Sequence, residues 1–188
     1  MKACQVMLIF LPGILAVHGK NNVVVILILF IDIVATFAGL DVNEFRFQVL
    51  ERNNFYRRRH GVPNLVLTPK MTRLAQQAAQ YLARVDQPVE NDAVRPSFGQ
   101  IRASVPPFNG SRLVDNWYQE IAAYNFQNPG PSRRTRRFTQ MVWKASRELG
   151  VGIAKSISGS YYVVATYSPP GNVPGEYRSN VLRPKLIN

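Results

Sequence analysis

Cys4 is the only cysteine in this 188-residue sequence. A single thiol forms no intrachain disulfide and supplies no cysteine-ligated metal site. The fold must therefore be held together by side-chain packing and hydrogen bonds. The length suits one globular domain, and a second complete domain would be cramped.

Two apolar runs occupy the first forty residues. Residues 3–17 resemble the apolar region of a secretory signal, and residues 23–40 form a longer run that contains Asp32. The second run is long enough to span a bilayer, although a carboxylate near its middle costs about 3 kcal/mol. We expect residues 1–40 to be a hydrophobic leader, either a signal peptide or a signal anchor; an over-extended gene model is the alternative. Residues 41–188 are then one domain that is secreted, or anchored by a single span and extracellular or luminal.

Hydrophobic periodicity after Asp41 predicts three helices: one within residues 41–61, one from Pro69 to Val85 with Thr68 as its N-cap, and one from Ser111 to Phe126. Residues 148–155 and 160–168 read as an antiparallel hairpin, and residues 98–104 as a short strand. Helices followed by a small antiparallel sheet favour an α+β fold over alternating α/β.

The formal net charge is +12, and arginines cluster at residues 57–59 and 133–137. Such a surface attracts phosphates, sulfated sugars and anionic lipid. We interpret both clusters as solvated faces, with binding of an acidic polysaccharide or an anionic membrane as the alternative. Nucleic acid is not expected, because no nucleic-acid-binding signature accompanies the charge.

Four motifs, in order between about Phe45 and Pro184, carry a family resemblance: NNFYRRRHGVPNLVL, WYQEIAAYNFQNPG, FTQMVWKASRELGVGIA and YYVVATYSPPGNVPGEYRSNVL. They resemble the CAP superfamily of cysteine-rich secretory proteins, antigen 5 and pathogenesis-related 1 proteins, and within it the Golgi-associated plant pathogenesis-related subgroup. The resemblance implies a single CAP domain, an α–β–α sandwich with a three-stranded antiparallel sheet between helices.

The resemblance also implies a cleft lined by two histidines and two glutamates, which holds a divalent metal in some members. Glu120 matches one glutamate, whereas Gln100 replaces the other, and Arg137 and Glu90 stand where the histidines are expected. A guanidinium has no lone pair to give a metal, so we expect neither a metal nor another cofactor. His60 matches a different family histidine, which we interpret as structural.

Arg137 offers a planar fork suited to a carboxylate, and we expect it to pair with Glu120. If Glu120 is largely buried, Glu120→Ala should then cost about 3–5 kcal/mol by leaving Arg137 unpaired. Arg133, Arg134 and Arg136 are expected to be a solvated basic patch on the preceding loop, available for docking on acidic surfaces.

In some relatives, the aromatic stretch that runs from the third helix to the FTQ motif is associated with sterol binding. Here that stretch contains Tyr118, Tyr124, Phe126 and Pro129. Core packing is the alternative, and we favour it for Tyr124. We expect a non-enzymatic protein that binds an apolar ligand, a sterol or a fatty acid, or a protein or membrane partner. A hydrolase is disfavoured because the cleft histidines are missing, His60 is the only histidine outside the leader, and no cysteine lies outside the leader.

Overall fold

The computed structural model describes residues 8–11, 14–17, 41–87, 98–105 and 109–185. Glu90 and the apolar run at residues 23–40 lie outside the described residues. The chain divides into two units, Met1–Asp41 and Val42–Asn188. In the first unit, strands β1 (Leu8–Leu11) and β2 (Ile14–Val17) pair antiparallel. No helix within the described ranges has both the length and the apolar character needed to cross a membrane.

The second unit is an α+β domain with one mixed sheet. Its elements, in chain order, are α1 (Val42–Arg59), β3 (Val66–Leu67), α2 (Pro69–Val85), β4 (Gly99–Val105), α3 (Gly110–Tyr118), a 3-10 turn (Gln119–Ala123), α4 (Arg136–Met141), β5 (Glu148–Lys155), β6 (Tyr161–Ser168) and α5 (Tyr177–Asn180). The sheet order is β3-β5-β6-β4. The expected fold class and the three antiparallel strands β4, β5 and β6 are confirmed, and the two-residue β3 adds a parallel fourth strand beside β5.

Helices cover both faces of the sheet. Two adjacent residues of β6 show this, because their side chains contact different helices. The Thr166 hydroxyl donates to the carbonyl of Met71 on α2, at 3.0 Å. The Tyr167 hydroxyl points the other way and donates to Asn53 on α1, at 3.1 Å. Since successive strand side chains point to opposite faces, α1 and α2 lie on opposite sides of the sheet. The arrangement is an α–β–α sandwich.

The helix α2 lies directly on the backbone of β5. A Cβ atom added to Gly150 would come within 2.0 Å of the Met71 backbone, and one added to Gly152 within 2.3 Å of the Ala75 backbone. Thr68 caps this helix as expected, accepting from the N–H of Met71 at 3.3 Å. The two glycines thus allow a helix–sheet approach that any side chain would block.

Side chains protect the part of β5 that extends beyond the short strand β3. Arg46 donates to the carbonyl of Val151 at 2.9 Å, and Gln76 both donates to the carbonyl of Ile153 and accepts from its N–H. Arg46 also donates to Gln76 at 3.1 Å, which joins α1 to α2 around the sheet edge. These hydrogen bonds occupy backbone N–H and C=O groups of β5 that would otherwise be open to pairing with another strand.

The expectation that residues 57–59 form a solvated face is wrong for Arg57. Its side chain has no exposed surface, and its guanidinium donates to four carbonyl oxygens. These belong to Pro63 at 2.7 Å, Met141 at 2.8 Å, Trp143 at 2.9 Å and Ser146 at 2.8 Å. Burial lowers the pKa of Arg57 to about 10, yet this still leaves the group charged at neutral pH.

We predict that Arg57→Met lowers the free energy of unfolding by at least about 3 kcal/mol, because four carbonyl groups lose a charged donor in a buried site. Arg58→Met is the matched control: Arg58 is exposed on the same helix, and its loss should change stability by less than about 0.5 kcal/mol. Urea titration followed by tryptophan fluorescence measures both variants. Similar midpoints for the two variants would contradict the role given to Arg57.

Candidate functional site

The third helix is shorter than its sequence pattern predicts. It begins at Gly110, with Asn109 as its N-cap, and it ends at Tyr118. The chain then tightens into the 3-10 turn Gln119–Ala123, which carries Glu120. This change of pitch rotates the segment away from the continuous helix that was expected through Phe126.

The Glu120 carboxylate binds the N-terminus of α4. Its Oε2 accepts from the N–H of Arg137 at 2.8 Å and from the N–H of Phe138 at 3.1 Å. Thr135, at the N-cap position of this helix, makes no side-chain capping bond. Glu120 therefore takes the place of a local cap from a distance of seventeen residues along the chain.

The expected ion pair with Arg137 is present, but it is the weaker contact. Nη1 of Arg137 lies 3.5 Å from Oε1 of Glu120, and the arginine side chain is 39% exposed against 16% for the glutamate. Burial raises the pKa of Glu120, while the two backbone N–H groups and the charge of Arg137 oppose that rise. An arginine this exposed would be solvated on losing its partner, so the loss of 3–5 kcal/mol expected from an unpaired Arg137 is too large.

Among the described residues, the positions implied for a metal cleft do not form a ligand set. Gln100 lies on β4, and its amide oxygen accepts from Arg102 at 2.8 and 3.1 Å. The described ranges contain no group of three or more His, Cys, Asp or Glu side chains able to hold a metal ion. With a guanidinium at Arg137 and one oxygen of Glu120 accepting from two backbone N–H groups, the described residues do not fit zinc.

The side chain of Gln140, on α4, packs against the start of β4. A Cβ atom added to Gly99 would lie 1.9 Å from Oε1 of Gln140, so this buried side chain rests on the strand where β4 begins. Arg137 is three residues earlier on the same helix and therefore on the same face, one turn away. The helix that carries Arg137 thus faces the end of the strand that carries Gln100.

Aromatic rings surround Phe138, a residue that was not singled out from the sequence. Tyr118, Tyr124 and Phe126 place their ring centroids 5.7, 5.5 and 6.2 Å from that of Phe138, in edge-to-face geometry. We call these four residues the aromatic cluster. Pro129 is half-buried on the loop that follows. Three of the four residues expected to form the ligand loop, Tyr118, Tyr124 and Phe126, are therefore brought together around the buried ring of Phe138.

The members of the aromatic cluster differ in exposure. Phe138 is fully buried and Tyr124 is 9% exposed, as core packing requires, whereas Phe126 and Tyr118 are half-buried. The Tyr124 hydroxyl is buried and has no hydrogen-bond partner in the described part of the chain. Burial raises the pKa of Tyr124, which keeps its hydroxyl a donor at neutral pH.

An open groove of about 430 Å³ runs beside the cluster, lined by residues 122–127 and Arg183. The Arg183 guanidinium lies 5.2 Å from the centroid of the Phe126 ring, and Arg178 donates to the carbonyl of Gln127 at 3.3 Å. Neither arginine was anticipated, because both come from the C-terminal segment some fifty residues from the loop. The groove thus has a mostly polar lining that includes two aromatic side chains, Tyr124 and Phe126, and one basic side chain, Arg183.

His60 is held as a structural residue. It is 1% exposed, its Nδ1–H donates to the carbonyl of Leu182 at 2.5 Å, and its Nε2 accepts from the Tyr118 hydroxyl at 3.0 Å. Burial lowers the pKa of His60, in agreement with a neutral ring in this tautomer. Both ring nitrogens are therefore committed to positioning Tyr118 and the C-terminal segment.

The basic loop is exposed only in part. Arg133 and Arg134 are exposed, whereas Arg136 and Arg137 are half-buried where α4 begins. The expected basic patch therefore consists of two exposed residues, with Arg136 already part of the helix.

The layered helices and sheet define the chain as a small domain with an α–β–α sandwich fold. The profile of the CAP cysteine-rich secretory protein family matches residues 42–167, and the chain belongs to this family. Golgi-associated plant pathogenesis-related protein 1 of Homo sapiens is 40% identical over 148 residues, which are 76% of this chain and 95% of that protein.

Fungal proteins also match. Secreted protein RBT4 of Candida albicans is 30% identical over 165 residues, which are 79% of this chain and 44% of RBT4. Protein PRY2 of Saccharomyces cerevisiae is 45% identical over 71 residues, 37% of this chain and 21% of PRY2. The chain thus spans less than half of each fungal protein.

Among solved structures, Schistosoma mansoni venom allergen-like protein 4 superposes with a TM-score of 0.58 at 22% identity, covering 75% of this chain and 96% of that one. The structure of NaASP2 with zinc superposes with a TM-score of 0.57 at 16% identity, covering 79% and 90%. At such identities the likeness shows the shared fold.

We predict that Glu120→Ala destabilises the chain by about 1–3 kcal/mol, because two N–H groups of α4 lose their acceptor in a partly buried site. Glu120→Gln keeps an acceptor oxygen and should recover most of this loss. Arg137→Ala is the control for the ion pair and should change stability by less than about 1 kcal/mol. Urea unfolding measures all three; equal losses for Glu120→Ala and Arg137→Ala would show that the ion pair, not the cap, dominates.

We also predict that zinc does not bind this chain stoichiometrically, because the donor set is incomplete. Adding zinc to chelator-treated protein should leave the thermal midpoint unchanged, whereas a ligand that binds the folded state would raise it. Calorimetry provides the direct check. A saturable one-to-one binding heat would refute this prediction.

Proposed function

We propose that this chain is a non-enzymatic binding protein of the secretory pathway that takes up an apolar ligand, a sterol or a fatty acid, at the aromatic cluster. The observation that carries the proposal is the open groove beside Tyr124 and Phe126, with Phe138 beneath them. Binding sites for small apolar molecules combine aromatic walls with a few polar groups that orient the ligand.

The unpaired hydroxyl of Tyr124 supports a ligand with one polar end. A buried hydroxyl without a partner costs about 1–3 kcal/mol, and a ligand that opens this segment and accepts its hydrogen bond would recover that amount. Arg183 beside Phe126 supplies a further polar contact at the rim. A sterol hydroxyl or a fatty-acid carboxylate is the matching group.

The non-enzymatic role is supported by the state of His60. It is the only histidine in the described part of the chain, and both of its ring nitrogens are engaged. A nucleophile needs a base within hydrogen-bond reach, and His60 is too buried and too constrained to serve as one. Passage through the secretory route is supported by two relatives, one Golgi-associated and one secreted.

A second candidate function is the binding of an acidic polysaccharide or an anionic membrane surface. The exposed Arg133 and Arg134, together with Arg178 and Arg183 at the groove, support it. Such binding depends on surface charge, and it weakens steeply as salt screens the arginines.

The deciding experiment measures uptake of a fluorescent sterol and a fluorescent fatty acid by the full chain. Phe126→Asp should weaken uptake by at least about tenfold, because it removes an aromatic ring from the groove and places a hydrated carboxylate where the apolar ligand would lie. Tyr81→Asp is the matched control: Tyr81 is 54% exposed on α2 and lines no part of the groove, so uptake should not change.

Salt separates the two candidates. Uptake of the uncharged sterol should be the same at low and moderate ionic strength. Polyanion binding should collapse over that range and should weaken in an Arg133→Ala, Arg134→Ala double variant. Equal loss of uptake in Phe126→Asp and Tyr81→Asp would contradict the cluster as the binding site.

A further inference from the structure

Asn109, Gly110 and Ser111 form the only Asn-X-Ser/Thr triplet in the 188 residues, and the middle residue is not proline. This triplet is the acceptor sequence for N-linked glycosylation in the secretory lumen. All three residues lie in the described part of the chain, where β4 has ended and α3 begins.

The structure presents the acceptor side chain in a form that a glycan can occupy. Asn109 is exposed, and its Oδ1 accepts from the N–H of Ser111 at 2.7 Å and from the N–H of Arg112 at 3.4 Å. Within the described ranges its Nδ2 makes no hydrogen bond, so the nitrogen that would carry the sugar is not committed to the fold. Glycosylation replaces one hydrogen of Nδ2 and leaves Oδ1 free to cap α3.

The middle residue of the triplet fixes this geometry. Gly110 is buried, its N–H donates to Oε1 of Gln48 at 2.9 Å, and a Cβ added here would lie 2.6 Å from the carbonyl oxygen of Phe45. The close contact with α1 anchors the backbone beside Asn109, so the side chain projects from a fixed point and not from a free loop.

A glycan at Asn109 would leave the proposed ligand site open. The helix α3 has nine residues, which at 1.5 Å per residue separate Asn109 from Tyr118 by roughly 13 Å along the helix axis. Asn109 is at the N-terminal end of α3, and the aromatic cluster is at the C-terminal end. Carbohydrate and ligand can therefore occupy the domain together.

We propose that Asn109 carries an N-linked glycan and that the domain accordingly lies in the lumen of the secretory pathway or outside the cell. An oligosaccharide is transferred from a lipid-linked pyrophosphate donor: the bond from C1 of the first sugar to the pyrophosphate oxygen breaks, and a bond from C1 to Nδ2 forms. The lipid pyrophosphate leaves and Nδ2 releases one proton. No oxidation or reduction takes part.

The test expresses the full chain in eukaryotic cells and compares its gel mobility before and after treatment with a peptide N-glycosidase. The native chain should run faster after treatment, and peptide mass analysis should find aspartate at position 109. Ser111→Ala removes the acceptor sequence and keeps the Asn109 cap, so it should already run at the deglycosylated position. Ser111→Thr keeps the acceptor sequence and should shift as the native chain does.

Three outcomes overturn the proposal. The native chain could be recovered from the lumen or the medium without a mobility shift; the shift could persist in Ser111→Ala; or cell fractionation could find the domain on the cytosolic side. None of these outcomes affects the ligand proposal, because sterol and fatty-acid uptake is measured on purified chain whether or not a glycan is present.

Discussion

The guanidinium of Arg57 is the interaction on which the arrangement of the domain depends. It enters from the last turn of α1 and binds the carbonyls of Pro63, Met141, Trp143 and Ser146. These carbonyls lie on the segment after α1, at the C-terminal end of α4 and on the connection between α4 and β5, so the side chain of Arg57 joins these parts of the chain to α1. No carboxylate is needed, because four peptide dipoles provide the negative end of each contact.

The two ends of α4 show how this anchor reaches the candidate site. At the C-terminal end Arg57 binds the Met141 carbonyl, and at the N-terminal end Glu120 accepts from the N–H groups of Arg137 and Phe138. A six-residue helix has little stability of its own, so side chains from elsewhere hold it in place. Phe138 is fixed by the same contacts, and the aromatic cluster forms around it. The carboxylate that resembles a metal ligand is here a helix cap.

The local parts of the fold could be predicted from sequence because they depend on local periodicity and on turn and cap chemistry. The helix α2, with its Thr68 cap, and the hairpin of β5 and β6 follow from such signals. The end of α3 did not follow, since the apolar spacing continues to Phe126 while the backbone changes pitch after Tyr118. The ion pair between Glu120 and Arg137 was predicted from charge. That the backbone N–H groups of α4 bind Glu120 more closely than the Arg137 side chain does was not predicted.

The sequence by itself determined the α+β class and the CAP family, because these depend on residue types and on their order along the chain. Only the tertiary structure decided which residues of the same type are buried and which are exposed. Arg57 and Arg58 are neighbours in one basic run, yet one is fully buried and the other is exposed. The physical reason is that burial and hydrogen bonding depend on which carbonyls and rings surround a side chain, and these come from segments tens of residues away.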